Sequence, residues 1–276
     1  MTELYNNIRY IAPYNYLINY NIIEFDLEKA NISALYEEKY FNKNEYDYYY
    51  NLPKQNREIL IGKLIKSKPE IYQIIQKGII NAKRIFFESN NIQVQNVLYI
   101  DNDSITLAYD KKDNLNFITH FSDIYNFKCK NVYTSFLRLY AIDFLYFNNS
   151  IKEIYRLKNC DQELLINNHK NGFLDLLLTI LYSGQFDKLS NTICLISNMY
   201  KQYVNKSLPI IYYKEFNNIS KYKILSGSNA ITYYIDNEID QYYLKNINIT
   251  YNASILQLLY KYFTHLYFNQ NSPNEG

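Results

Sequence analysis

After Pro69, the residues Ile71, Ile74, Ile75, Gly78, Ile79, Ala82, Ile85 and Phe86 recur at i, i+3, i+4, i+7 spacing. Gln73, Lys77, Asn81, Arg84 and Glu88 occupy the opposite face. This period predicts a long amphipathic helix that must bury one stripe against another layer. Asn90-Asn91 predicts its end, because asparagine tolerates the left-handed backbone that closes a helix. Strand-like segments flank the helix. Residues 19–26 read as a strand ending in an aspartate, and residues 97–107 read as a strand interrupted by Asp101-Asn102-Asp103. A strand, a helical layer and then more strand predicts the α+β class, with a sheet covered by packed helices and followed by a mainly helical C-terminal part.

The remaining pattern extends this outline. Residues 29–41 read as a helix, and Pro53 opens another that runs to about Lys66, since proline fits the first helical turn. A turn at residues 110–114 predicts a hairpin between the preceding strand and residues 115–121. More β texture is expected at 131–147 and 152–158, helices at 162–182 and 188–204, and short strands near 221–225, 230–235 and 242–249. A last helix carries Ile255, Leu258, Leu259, Tyr262, Phe263 and Leu266 on one face. The texture changes near residue 160, which divides the chain into an α+β domain over 1–160 and a mainly helical domain over 161–276.

Composition explains several misleading signals. The chain has 33 Tyr, 38 Asn and 37 Ile, all specified by A/T-rich codons, so a base-biased genome is the first explanation. A run such as Tyr46-Asp47-Tyr48-Tyr49-Tyr50 is accordingly read as packing before it is read as a platform for stacked bases. With 20% charged and 48% hydrophobic residues the chain is globular. The apolar run Phe173–Tyr182 contains Asp175 and falls short of the ~20 residues that span a bilayer, so no membrane association is expected. Residues Met1–Arg9 have no signal-peptide pattern. Cys129, Cys160 and Cys194 stand in unrelated contexts, which points to a reduced compartment and a cytoplasmic protein, in the host cytoplasm if the source is viral. His120, His169 and His265 are too dispersed for a zinc site. A net charge of +2 is neutral on nucleic acid, so any basic footprint must be local.

Two acidic segments carry the chemistry. Phe25-Asp26-Leu27-Glu28-Lys29-Ala30-Asn31 puts an aspartate at a strand end, and Tyr99-Ile100-Asp101-Asn102-Asp103-Ser104 puts an acidic pair in a strand or its turn. If the two strands are neighbours, Asp26 lies beside Asp103 with the 69–90 helix across their back. Strand alternation would put Asp101 and Asp103 on one face. Carboxylates held that close repel unless a cation sits between them, and Mg²⁺ accepts hard oxygen ligands. The same residues also have ordinary readings: Asp-Asn-Asp is a tight-turn sequence, and Asp26 can cap a helix.

The first segment resembles motif A of reverse transcriptases, a hydrophobic-Asp-x-x-x-Ala-aromatic pattern. The second resembles the Tyr-Gly-Asp-Thr-Asp-Ser motif C of family B DNA polymerases. Together they resemble the palm domain of nucleic-acid polymerases, in the order motif A, palm helix, motif C, with Gln76-Lys77-Gly78 a faint likeness to motif B. The resemblance implies a palm-like sheet and nucleotidyl transfer with Mg²⁺ or Mn²⁺. Asp26 and Asp103 would be the metal ligands and Asp101 a third catalytic acid. Asn31 falls where the palm's sugar-sensing aromatic normally sits. The stretch Arg57–Ile105 also resembles uncharacterised proteins of AT-rich tailed bacteriophages. That likeness supplies an alternative function: a non-catalytic palm-like accessory subunit of a phage replication or transcription complex, or a structural virion protein.

Basic residues complete the candidate site. Arg57 and Lys63 could meet the triphosphate of an incoming nucleotide, and Lys83 and Arg84 a template backbone, although a solvated helix face is the default reading of each pair. The partners so implied are nucleic acid and a nucleoside triphosphate, with the C-terminal helices available to a protein complex.

Overall fold

The computed structural model describes residues 4–113, 115–121, 124–139, 144–151, 155–158, 170–213, 225–227, 230–232, 244–245 and 247–271. The chain has an α+β fold and forms two compact units, Met1–Phe136 and Leu137–Gly276. The boundary expected near residue 160 falls outside the described residues.

In the first unit an antiparallel sheet carries helices on one face. Its strands are β1 (Arg9–Ile11), β2 (Tyr16–Leu27), β3 (Val97–Asp101), β4 (Ser104–Asp110) and β6 (Tyr125–Arg138), in the order β1-β3-β4-β2-β6. Between β2 and β3 come four helices: α1 (Ala30–Glu37), α2 (Lys43–Asn51), α3 (Lys54–Ser67) and α4 (Glu70–Ser89). Strand β4 inserts between β2 and β3 and runs antiparallel to both, which makes β2–helices–β3–β4 a split βαβ unit.

The helix predicted after Pro69 is α4, and its buried face is the predicted one. Ile71, Ile75, Gly78, Ile79, Ala82 and Phe86 are buried against Phe25, Leu27, Ala34, Leu35, Ile105 and Leu107. Asn91 ends the helix region with φ 50°, while the Asn90 amide donates to Phe86 O and its carbonyl accepts from Ile118 N at 2.7 Å. Helix α3 begins directly after Pro53, as the sequence predicts. Helix α2 is an element that the apolar period does not reveal. It starts with a capping box in which Asn42 and Glu45 satisfy each other's backbone N–H, a signal present in the sequence. Its Tyr46 and Tyr49 stack on Tyr36 and Phe41, so Tyr46 is core and Tyr49 packs against it.

The hairpin expected between β4 and residues 115–121 does not form. Residues 115–119 have no strand structure, and β5 (His120–Phe121) pairs with β6. Alternation identifies a strand here but not its partner.

In the second unit β7 (Phe144–Phe147) and β8 (Tyr155–Lys158) form an antiparallel hairpin. Helices α5 (Lys170–Ser183), α6 (Leu189–Val204) and α7 (Thr250–Asn271) fall within the predicted helical patterns, and the 162–169 part of the first lies outside the described residues. Ile196, Tyr203, Ile255, Leu259 and Phe263 are buried in this unit, and Asn252 donates to the Tyr203 hydroxyl at 3.1 Å. The strands expected near 221–225 and 230–235 fall largely outside the described residues, which hold a short pair, β9 (Leu225–Gly227) and β10 (Ala230–Thr232). The region expected as strand over 242–249 is likewise described only in part. Among the described residues no helix is long and apolar enough to cross a membrane.

Candidate functional site

Register brings the two acidic segments together. Along β2, Ile23, Phe25 and Leu27 pack toward α1 and α4, so alternation turns Glu24 and Asp26 to the opposite face. Asp26 stands directly across from Ser104, and Leu27 N donates to Asp103 O at 3.1 Å. Asp103 itself sits in the two-residue turn between β3 and β4, where Asn102 takes the left-handed backbone at φ 50° that such a turn needs. The turn is held from below. Asn102 N donates to Ile8 O at 2.7 Å, and Gln76 on α4 donates to Asn102 Oδ1 at 3.2 Å.

Asp101 departs from its expected place. It is the last residue of β3, exposed, and opposite Ser104 in register, with the turn between it and Asp103. The alternation that would align Asp101 with Asp103 applies only within a continuous strand, and the turn breaks it. Asp26 and Asp103 line one cleft and Asp101 does not, although, after burial and the Asp26 charge, its charge still pushes the Asp103 carboxyl up.

Neither member of the pair is committed to capping. Helix α1 is preceded by Lys29 in left-handed conformation (φ 49°) and has no side-chain cap. The Lys29 ammonium is engaged elsewhere, donating to Tyr50 O at 2.9 Å and lying 3.0 Å from the centre of the Tyr50 ring. Burial pushes the Asp103 carboxyl above the usual carboxylate range, and the neighbouring Asp26 charge pushes it the same way. Lys130 opposes both effects. Its Nζ lies 3.5 Å from Asp26 Oδ2.

A cleft of about 600 Å³ opens over this pair. Asp26, Glu28 and Asn31 line one side, Lys54, Arg57 and Glu58 of α3 another, and Lys128, Cys129 and Lys130 of β6 a third. Arg57 is anchored by a bond to Leu52 O at 3.3 Å. Lys54 pairs loosely with Glu58 at 3.7 Å. Of the sequence candidates, Asp26, Asp103, Asn31 and Arg57 thus converge on one cleft. Lys63 is exposed on α3 and is not part of its lining. Arg84 is engaged by Asn81 and Glu88 on the outer face of α4.

Lys83 requires a larger correction. It is 1% exposed, and its ammonium donates to Asn7 O at 2.7 Å, so it cannot reach a template backbone. Its position four residues after Ile79 and three before Phe86 puts it on the buried stripe. Burial lowers its pKa to about 8, and the Asp103 charge partly offsets this. Because the folded-state value lies below that of the unfolded chain, the unfolded state binds more protons between about pH 8 and 10.5, and stability contributed by this residue rises with pH there. Lys83→Met should therefore stabilise the protein more at pH 7 than at pH 9.5, the two gaps differing by on the order of 1–2 kcal/mol. Urea midpoints at both pH values check this, and an identical gap at both contradicts it.

Lys54, Lys128, Lys130 and Glu58 are not among the sequence candidates. The available signal is Lys128-Cys129-Lys130, a charged interruption of an otherwise strand-like run. Gln76-Lys77-Gly78 turns out to be structural: Gln76 holds the turn, Lys77 pairs with Glu38, and Gly78 touches Ala34.

Among the described residues, no group of three or more His, Cys, Asp or Glu is arranged to hold a metal ion. The cleft does bring two carboxylates, Asp26 and Asp103, into its lining. Hard carboxylate oxygens of this kind could hold Mg²⁺, which is usually bound by one or two protein carboxylates with water and substrate phosphates completing its shell.

A family model described as bacteriophage PBS1 gene 130 protein matches residues 1–262 of the chain. The protein belongs to this phage family. The match runs through the whole first unit and into α7, so the acidic pair, the cleft, α5, α6 and the first part of α7 lie within the family region. No curated protein matches the chain significantly. The phage assignment agrees with the A/T-biased composition, while the family description names no activity.

Proposed function

We propose that this PBS1 gene 130 family protein is a metal-dependent nucleotidyltransferase built on a palm-like split βαβ unit. The observation that carries the reading is the register of β2 against β4, which sets Asp26 beside Asp103 at the mouth of a cleft lined with cations. Two carboxylates so placed would hold Mg²⁺ or Mn²⁺, whose charge would stabilise the pyrophosphate leaving group during transfer. Arg57, Lys54 and Lys128 supply positive charge for the phosphates of a nucleoside triphosphate. Asn31, at the start of α1, lines the cleft where the palm's sugar-sensing aromatic would stand, so no aromatic ring at this position would discriminate the sugar. Asp101, Lys63, Lys83 and Arg84 have no part in binding or chemistry in this reading.

The test is nucleotide addition to an oligonucleotide primer, with and without template, in Mg²⁺ or Mn²⁺. Extension that requires the divalent ion supports the reading, and its absence with all four ribo- and deoxyribonucleotides overturns it. A second reading, a palm-like subunit without catalysis in a phage replication or transcription complex, draws support from the Lys130–Asp26 ion pair, which already neutralises one of the two carboxylates. It predicts retention of nucleic-acid or partner binding in Asp26→Asn.

A further inference from the structure

The acidic pair carries its own cation. Lys130 Nζ stands 3.5 Å from Asp26 Oδ2, and against burial and the Asp26 charge its own charge also draws the Asp103 carboxyl down. The strand that bears it is fixed beside the pair. Next along β6, Asn131 donates to the buried Glu24 carboxylate at 3.3 Å, and the Tyr133 hydroxyl donates to the same oxygen at 3.4 Å. Glu24 lies two residues before Asp26 on the same face of β2, so this cluster fixes the strand next to Lys130 through Asn131 and Tyr133 and not through the Lys130 side chain. The Lys130 and Asp26 side chains are 42% and 39% exposed, which lets the pair open into water. Lys83 offers the contrast: it is fully buried, bound to Asn7 O, and has no route out.

We propose that Lys130 is a tethered counter-cation that neutralises Asp26 in the resting protein and is displaced when a divalent ion binds between Asp26 and Asp103. The inference rests on the nucleotidyl-transfer reading and concerns the regulation of the same site. A tethered ammonium competes with the ion for the same carboxylate oxygens, so it weakens resting affinity for the free metal. The released ammonium, beside Lys128 and opposite Arg57, would then join the cations available to the substrate's phosphates. This arrangement favours entry of metal together with a triphosphate over entry of metal alone.

The experiment is a Mn²⁺ titration followed by the electron paramagnetic resonance signal of the free ion, without nucleotide, on the full chain. Lys130→Met should bind Mn²⁺ about two- to fivefold more tightly than the unaltered protein, the range set by an exposed ion pair. Lys130→Arg, which keeps the cation, should bind like the unaltered protein. Asp26→Asn should lose the site in either background. Equal or weaker binding by Lys130→Met, with Asp26-dependent binding intact, overturns the counter-cation role and leaves the metal site standing. Failure of every variant to bind Mn²⁺ overturns both the role and the metal-dependent reading.

Discussion

Replacing Asp26 by Asn should lower metal-dependent nucleotide addition by about 10²–10³-fold, the scale at which loss of one preorganised charge-stabilising group reduces turnover. The substitution preserves shape and leaves β2 intact, because Asp26 takes part in the sheet through its backbone and its carboxylate caps no helix. It removes one of the two negative charges of the pair and releases Lys130 from its partner. Asp103→Asn should have an effect of the same order. Asp101→Asn should change activity little, since its side chain is exposed across the turn from the cleft. Single-turnover extension rates at saturating Mn²⁺ check the series. Equal losses at positions 26 and 101 would contradict the assignment of the pair.

The largest stability effect is expected at Gly78. A Cβ there would lie 2.5 Å from Ala34 Cβ and 2.7 Å from Ala34 Cα, so α1 and α4 approach too closely for any side chain. Alanine is intrinsically the better helix former by about 1 kcal/mol, which favours Gly78→Ala. Overpacking against backbone costs about 1–3 kcal/mol or more and decides the sign. Gly78→Ala should therefore destabilise the first unit by about 2 kcal/mol. It should also disturb the cleft, because α1 begins four residues after Asp26. Gly62 on α3 is the internal control. A Cβ added there would meet nothing within 4 Å, so Gly62→Ala should stabilise by up to about 1 kcal/mol. Opposite shifts of the urea midpoint are expected. Equal shifts would mean that the α1–α4 contact yields without cost.

What can be read from the sequence depends on whether a feature is local. The period of α4, its proline start and its asparagine end are written in consecutive residues, and the structure follows them closely. The approach of Asp26 to Asp103 is legible because a strand, a covering helix and a strand pair leave few ways to form one sheet. Partner choice is not legible: residues 115–121 read as the return strand of a hairpin, yet His120 and Phe121 pair with β6. Lys83 attracts a phosphate-binding role by its charge, when its place between Ile79 and Phe86 puts it on the buried stripe. Asp101 and Asp103 share a face only if strand alternation is carried through a turn that Asn102 makes possible. The cations of β6 escape notice because a lysine in a strand gains meaning only when a neighbouring strand puts a carboxylate beside it.

The most direct measurement is anomalous diffraction from crystals of the protein soaked in Mn²⁺ with a non-hydrolysable nucleoside triphosphate. A peak should appear at direct coordination distance, about 2.0–2.6 Å, from carboxylate oxygens of both Asp26 and Asp103, with Lys130 turned away from Asp26. Crystals with ordered triphosphate, no peak at these carboxylates and Lys130 still paired with Asp26 would contradict the proposed metal site.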